Sequence, residues 1–120
     1  IQKHVDKGHA EAQFVLGGAY CEGSTGLEQN FKKAFKLFQA SAAQGNAPAQ
    51  NALGGCYELG EGVQINSETA ALWFRRAAEQ GFPAAQCHLG QAFYQGKGVA
   101  QSYNEAVKWF RLAAAQGHAQ

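Results

Sequence analysis

Residues 89–99 read LGQAFYQGKGV. The closing glycine, lysine and glycine raise two readings, a phosphate cradle or a backbone turn. A P-loop needs four residues between its first glycine and the Gly-Lys pair, then a Ser or Thr to meet a metal ion. Here five residues separate Gly90 from Gly96, and Gly98 follows Lys97. Thirty-six residues upstream, 53–63 read LGGCYELGEGV, the same skeleton with Glu61 where Lys97 stands. A phosphate loop would not exchange its lysine for a glutamate. The stretch is one period of a repeat, and Lys97 is a variable turn residue.

Residues 45–80 lie over 81–116 without a gap, and 15 of the 36 positions are identical. An earlier copy spans 8–44 and is one residue longer, with the extra residue in GSTGL (23–27). Residues 1–7 align with the end of a preceding second helix, and 117–120 (GHAQ) open a further unit. A period of this length marks stacked supersecondary units.

Each unit holds two helical patterns. Ala49, Leu53 and Tyr57 recur at spacing four, matched by Ala12, Leu16, Tyr20 and by Ala85, Leu89, Phe93, which places one apolar stripe on the first helix. Ala70, Trp73, Phe74, Ala77 and Ala78 follow the i, i+3, i+4, i+7, i+8 spacing of a second amphipathic helix. Gly60 and Gly96 fall where a helix C-cap wants positive φ, and Gly62 and Gly98 turn the chain back. Asn30, Asn66 and Ser102 are N-caps of the second helices, and Ser102 with Glu105 fits a capping box. Gly45, Gly81 and Gly117 close those helices. The spacing predicts helices over 10–22, 30–43, 47–59, 66–79, 83–95 and 102–115, with no strand. Gly17, Gly54 and Gly90 lie inside the first helix, where glycine costs about 1 kcal/mol against alanine. A repeated cost implies a repeated gain, most simply close approach of a neighbouring helix.

The pattern A-x-A-Q-x-x-L-G-x-x-[YF]-x-x-G-x-G-V, an N-cap, then A-x-x-W-F-x-x-A-A-x-Q-G resembles the Sel-one-like repeat family, a relative of the tetratricopeptide repeats. The resemblance covers residues 8–116. It implies an all-α fold, a right-handed α-solenoid of antiparallel helix pairs, and a role as a protein-interaction scaffold. Such proteins organise complexes, in bacterial envelope function or host contact and in eukaryotic protein quality control. The family usually carries Asp where this chain has Asn30, Asn66 and Ser102. Unit one departs most, with Leu37 in place of Trp73 and Trp109. A cysteine-rich branch of the family has been linked with penicillin binding or hydrolysis. Its disulfide cysteines fall where this chain has Gln50, Gln86, Ala78 and Ala114, which argues against that activity here.

The composition narrows the function further. Hydrophobic residues make up 46% and charged residues 16%, the balance of a globular chain. A net charge of +1 supplies no field for nucleic acid or an anionic membrane, and Lys32, Lys33 and Lys36 read as solvated surface. No apolar run approaches the roughly 18 residues of a membrane span. The three cysteines have no CxxC pairing and unmatched repeat positions, so they read as free thiols, the state of a reducing compartment. The resemblance leaves cytoplasm and bacterial envelope or secretion both open. The histidines, His4, His9, His88 and His118, lack zinc-ligand spacing, and no Ser-x-x-Lys or Gly-x-Ser-x-Gly occurs. The sequence thus offers no catalytic residue, metal site or cofactor.

In the tetratricopeptide relatives the first helices line a concave groove. Carried over by register, that face includes Phe14 and Glu22 in unit one. It includes Asn51, Glu58 and Leu59 in unit two, and Gln91 and Tyr94 in unit three. Phe14, Leu59 and Tyr94 are apolar at positions expected to be exposed, as an interface supplies. The competing reading is that they fill gaps between units. A partner would be a protein or peptide lying along the groove. The rival function is self-association through the outer units.

Overall fold

The computed structural model describes residues 2–23 and 26–116, with side chains from His9 onward. The closing Gly117, His118 and the start of a further unit at 117–120 lie outside the described residues, as do Ile1 and two residues of the GSTGL insertion. Six helices follow one another: α1 (Gln2–Glu22), α2 (Phe31–Ala43), α3 (Ala47–Leu59), α4 (Ser67–Glu79), α5 (Pro83–Gln95) and α6 (Tyr103–Ala115). No strand occurs among the described residues. Each helix packs on its sequence neighbours, so the chain is an α-solenoid of antiparallel pairs.

Five helices begin within one residue of the expected positions, and α1 does not. It runs from Gln2 and passes Gly8 without a break. The physical reason lies in the residues that open the other first helices. Units two and three place a proline in the first helical turn, Pro48 and Pro83. Unit one has Ala10 and Glu11 in those slots, both strong helix formers, so nothing stops the helix.

The caps explain the remaining boundaries. Asn30 Oδ1 accepts from Lys33 N at 3.0 Å, Asn66 Oδ1 from Thr69 N at 3.0 Å, and Ser102 Oγ from Glu105 N at 3.2 Å. Asn46 caps α3 in the same way, a cap the repeat comparison misses because Phe82 stands there in unit three. Only half of the Ser102–Glu105 capping box forms. The Ser102 N–H donates to Phe93 O, while Glu105 reaches Lys108 at 3.8 Å. Asn30 and Asn66 donate likewise to Tyr20 O and Tyr57 O, so one backbone bond closes every unit despite the insertion in unit one. Gly60 and Gly96 hold φ of 75° and 68°, and the next residues, Glu61 and Lys97, donate from the backbone to Cys56 O and Ala92 O. Lys97 is thus a turn residue.

The mid-helix glycines chiefly receive a phenylalanine ring, joined at Gly54 by the backbone carbonyl of Ala70. A Cβ on Gly17 would lie 2.7 Å from the ring of Phe38, on Gly54 2.6 Å from Phe74, and on Gly90 2.8 Å from Phe110. Each first helix seats a phenylalanine from the second helix of its own unit. Gly62 and Gly98 make the approach between units, resting on the backbone at the start of the preceding second helix, Phe31 and Ser67.

Units are also joined by glutamines. Gln80 Nε2 donates to Gln50 Oε1 at 2.8 Å, and Gln116 Nε2 to Gln86 Oε1 at 2.8 Å. Gln50 and Gln86 in turn donate to Ala42 O and Ala78 O of the unit before, at 3.3 and 3.2 Å. A buried amide must be satisfied on both sides, and this arrangement does so while tying each unit to its predecessor. Aliphatic and aromatic packing does the rest. One cluster gathers Ala34, Phe38, Ala49 and Leu53, the other Phe74, Ala77, Leu89, Phe93 and Trp109.

The apolar stripe of unit one departs from expectation. Leu53 and Leu89 are fully buried, whereas Leu16 is 42% exposed and Ala12 is exposed. In units two and three a preceding second helix covers that stripe, and no described helix precedes α1.

Candidate functional site

No group of three or more His, Cys, Asp or Glu side chains is placed to hold a metal ion among the described residues. No described helix is long and apolar enough to cross a membrane. The candidate site is the surface of the first helices α1, α3 and α5, the face that the repeat register singles out.

Leu59, the last residue of α3, is 63% exposed, and Tyr94, near the end of α5, is 54% exposed. Tyr94 is not isolated. Its ring centroid lies 5.3 Å from that of Tyr103, and Gln101 Nε2 donates to Tyr94 O at 2.9 Å. Phe14 is half-buried, its ring 6.0 Å from Phe38 and packed on the first cluster. It belongs with the packing of its own unit. Glu22 ends α1 in solvent beside Cys21.

The structure brings together two pairs. Glu58 and Gln91 line a small cavity of about 20 Å³ with Ser67, Ala71, Phe74 and Lys97, room for about one water. Asn51 Oδ1 lies 2.9 Å from His88 Nδ1, which bridges α3 and α5. The His88 ring also stacks on Phe74, centroids 4.6 Å apart. His88 therefore works as a packing residue between units. The exposed Tyr103 and Ile65 are missed by the register argument, because both lie outside the first helices. Their signal was local: each is a bulky apolar residue in a slot that is polar in another unit, Ser67 for Tyr103 and Gln101 for Ile65.

The cysteines are free thiols. Cys21 is half-buried and packs on the cluster that contains Cys56. Burial pushes the Cys56 thiol up to about 12, with Cys21 and then Glu61 adding to the effect. Burial also raises Cys21, followed by the charges of Glu61 and Glu22. Neither is a thiolate nucleophile at neutral pH.

The model of the Sel1 repeat matches three times in succession, at residues 10–46, 47–82 and 83–118. The chain belongs to the Sel1 repeat family. Such repeats typically serve as protein–protein interaction scaffolds. Among solved structures, c5321, a protective antigen of uropathogenic Escherichia coli with an SLR fold, superposes with a TM-score of 0.88 at 37% identity. The match covers 92% of this chain and 23% of that one. A Sel1 repeat protein from Oxalobacter formigenes gives 0.87 at 37% identity, over 94% of this chain and 44% of the other. Helicobacter pylori cysteine-rich protein B, at 24% identity and 0.76 over 95% and 84% of the two chains, shares the fold. A curated relative, the chitin synthase regulator SKT5 of Saccharomyces cerevisiae, is 36% identical over 67 residues. That is 56% of this chain and 10% of the relative's length. The chain thus spans a small part of that relative and less than half of the first two structures.

Proposed function

We propose that these three Sel1 repeats bind a segment of a partner polypeptide on the surface of α1, α3 and α5. The observation that carries the reading is the exposure of Leu59 and Tyr94 on two of those helices. A leucine or an aromatic ring left more than half exposed is available to a partner, and each can supply on the order of 1.5–3 kcal/mol when desolvated. Asn51, Glu58, Gln91 and Glu22 would supply the polar rim, with Phe14 as an apolar floor at the edge of unit one. A solenoid surface is long and shallow, which suits an extended or helical peptide. That one curated relative is named as a regulator of another enzyme supports a role exerted through a protein partner.

The test places a photoreactive side chain at position 59 or 94 in the full protein, and at Arg76 on a second helix as the comparison. Capture of one discrete partner from 59 and 94, weakened tenfold or more by Leu59→Ala with Tyr94→Ala, is the expected result. Capture from Arg76 alone would move the site to the second-helix face.

A further inference from the structure

We infer that α2 carries a second interaction surface, a lysine-rimmed recess that takes an acidic segment of a protein partner. It lies on a second helix and is independent of the reading of α1, α3 and α5 given above. In the sequence Lys32, Lys33 and Lys36 read as solvated surface, but the structure gathers them around one feature. With Phe35, Gln39 and Gly62 they line a recess of about 290 Å³. Phe35 is its half-buried apolar side chain, held edge-on to Tyr57 with ring centroids 5.5 Å apart. The Gly62 turn rests on the backbone of Phe31 and closes one side. The recess therefore sits between units one and two, inside the array.

Nothing in the fold calls for these lysines. By register their slots hold Glu68, Thr69 and Leu72 in unit two, and Asn104, Glu105 and Lys108 in unit three. Helices α4 and α6 carry an acidic residue in the first turn, which suits the positive end of a helix dipole. Helix α2 carries none and places Lys32 and Lys33 there instead, a local electrostatic cost. No ion pair with a described carboxylate relieves it, since the ion pairs among the described residues are Arg75–Glu79 and Lys108–Glu105. Lys33 Nζ lies 5.3 Å over the Tyr20 ring, and all three lysines are exposed. A break with local preference that is confined to one unit marks function rather than folding.

The chemistry selects the occupant. Three ammonium groups within little more than one helical turn, around a phenylalanine, match carboxylates that flank an apolar side chain. Hydrogen bonds from lysine to carboxylate are charge-assisted. Pockets for small molecules begin at about 300 Å³, so this recess suits a side chain of a peptide better than a cofactor. A nucleic-acid backbone or an anionic lipid surface would need the positive charge to continue along the face. It does not: the recess beside the next turn, at Gly98, has Glu68 as its one charged side chain. Polybasic lipid sites also gather about 4–8 Lys or Arg, more than α2 supplies.

The test is fluorescence anisotropy with a labelled glutamate-rich peptide that has one central leucine, run beside phosphatidylserine vesicles and a single-stranded oligonucleotide. The parent chain is expected to bind the peptide, more weakly as salt is added, and neither of the other two. Lys32→Ala with Lys33→Ala and Lys36→Ala should weaken that binding about tenfold or more. Lys97→Ala with Lys108→Ala and Arg111→Ala removes the same charge elsewhere and should leave it within about twofold. The α2 variant should keep its helical circular dichroism and melt no lower than the parent. Absence of peptide binding overturns the inference, as does preference for the vesicles or the oligonucleotide. Equal loss in both variants overturns it by showing an effect of net charge alone. A lowered melting temperature in the α2 variant does so by giving the lysines a structural role.

Discussion

Replacing Gly54 by alanine sets two effects against each other. Leaving glycine in mid-helix costs about 1 kcal/mol, so alanine should stabilise α3 by that amount if space allows. The space is taken. The new Cβ would sit 2.6 and 2.7 Å from two ring carbons of Phe74 and 3.1 Å from Ala70 O. Carbon atoms pack comfortably at about 3.5–4.0 Å, so the ring would have to withdraw by roughly 1 Å. It cannot do so freely. Phe74 is buried, and His88 of the next unit stacks on it. The Ala70 carbonyl is backbone, so relief there means moving α4. Overpacking of this kind costs about 1–3 kcal/mol; the backbone contact at Ala70 places this case in the upper part of that range, about 2–3 kcal/mol, and the helix gain of about 1 kcal/mol leaves a net loss of about 1–2 kcal/mol.

Gly90→Ala is the internal control. Its Cβ would lie 2.8 Å from Phe110, as tight on paper, but Phe110 is only half-buried and no described helix packs beyond it. That ring can swing outward, so the loss should stay under about 1 kcal/mol, while Gly90→Leu should cost far more. Urea and thermal melts followed at 222 nm measure the difference, with Gly54→Ala expected to lower Tm by roughly 4–8 °C. A Gly54→Ala chain that melts at or above the parent, or below which Gly90→Ala falls, would refute the ring-on-glycine account.

Gln50→Ala should cost about 1–3 kcal/mol, because it strands the Ala42 carbonyl and the Gln80 amide together. A double-mutant cycle with Gln80→Ala should then show strong coupling, and additive losses would mean the two amides do not cooperate. In the folded chain Cys56 should resist thiol reagents at pH 8, and all three thiols should react after denaturation without reductant. The Cys56 thiol ionises near its ordinary 9.0 when unfolded and near about 12 when folded. Its contribution is therefore intact below pH 9 and lost as pH rises from about 9 to 12. Cys56→Ala should flatten that alkaline decline in denaturant midpoint, and an identical slope in both chains would contradict it. Phe14→Ala should lower the melting temperature through its contact with Phe38, while Leu59→Ala should leave it nearly unchanged.

The repeat made most of the fold legible. Caps at Asn30, Asn66 and Ser102, turns at Gly60 and Gly96, and the apolar stripes each recur, so an error in one unit is corrected by the others. What was not legible is what does not recur. The start of α1 depended on a proline that unit one lacks. The partner of the mid-helix glycines was hidden because the Phe38, Phe74 and Phe110 stripe reads as ordinary core until the two helices are placed together. The exposure of Leu16 could not be seen in the pattern at all, since a residue's own sequence does not say whether a neighbour covers it.

The same logic ranks the candidate binding residues. A position that packs within the solenoid experiences the same surroundings in every unit, so its residues should be alike in size and polarity. The slot of Tyr94 is held by Glu58 in unit two, where it lines the cavity between units. Tyr94 could therefore serve a joint as readily as a partner, and its ring already rests near Tyr103. The slot of Leu59 is held by Glu22 and Gln95, both exposed and polar. No packing demand at that slot calls for an apolar side chain, yet unit two supplies one and leaves it in water. Leu59 is thus the residue whose chemistry is least explained by the fold. Loss of partner binding on Leu59→Ala at unchanged stability is the most direct sign that the first-helix surface is the binding face.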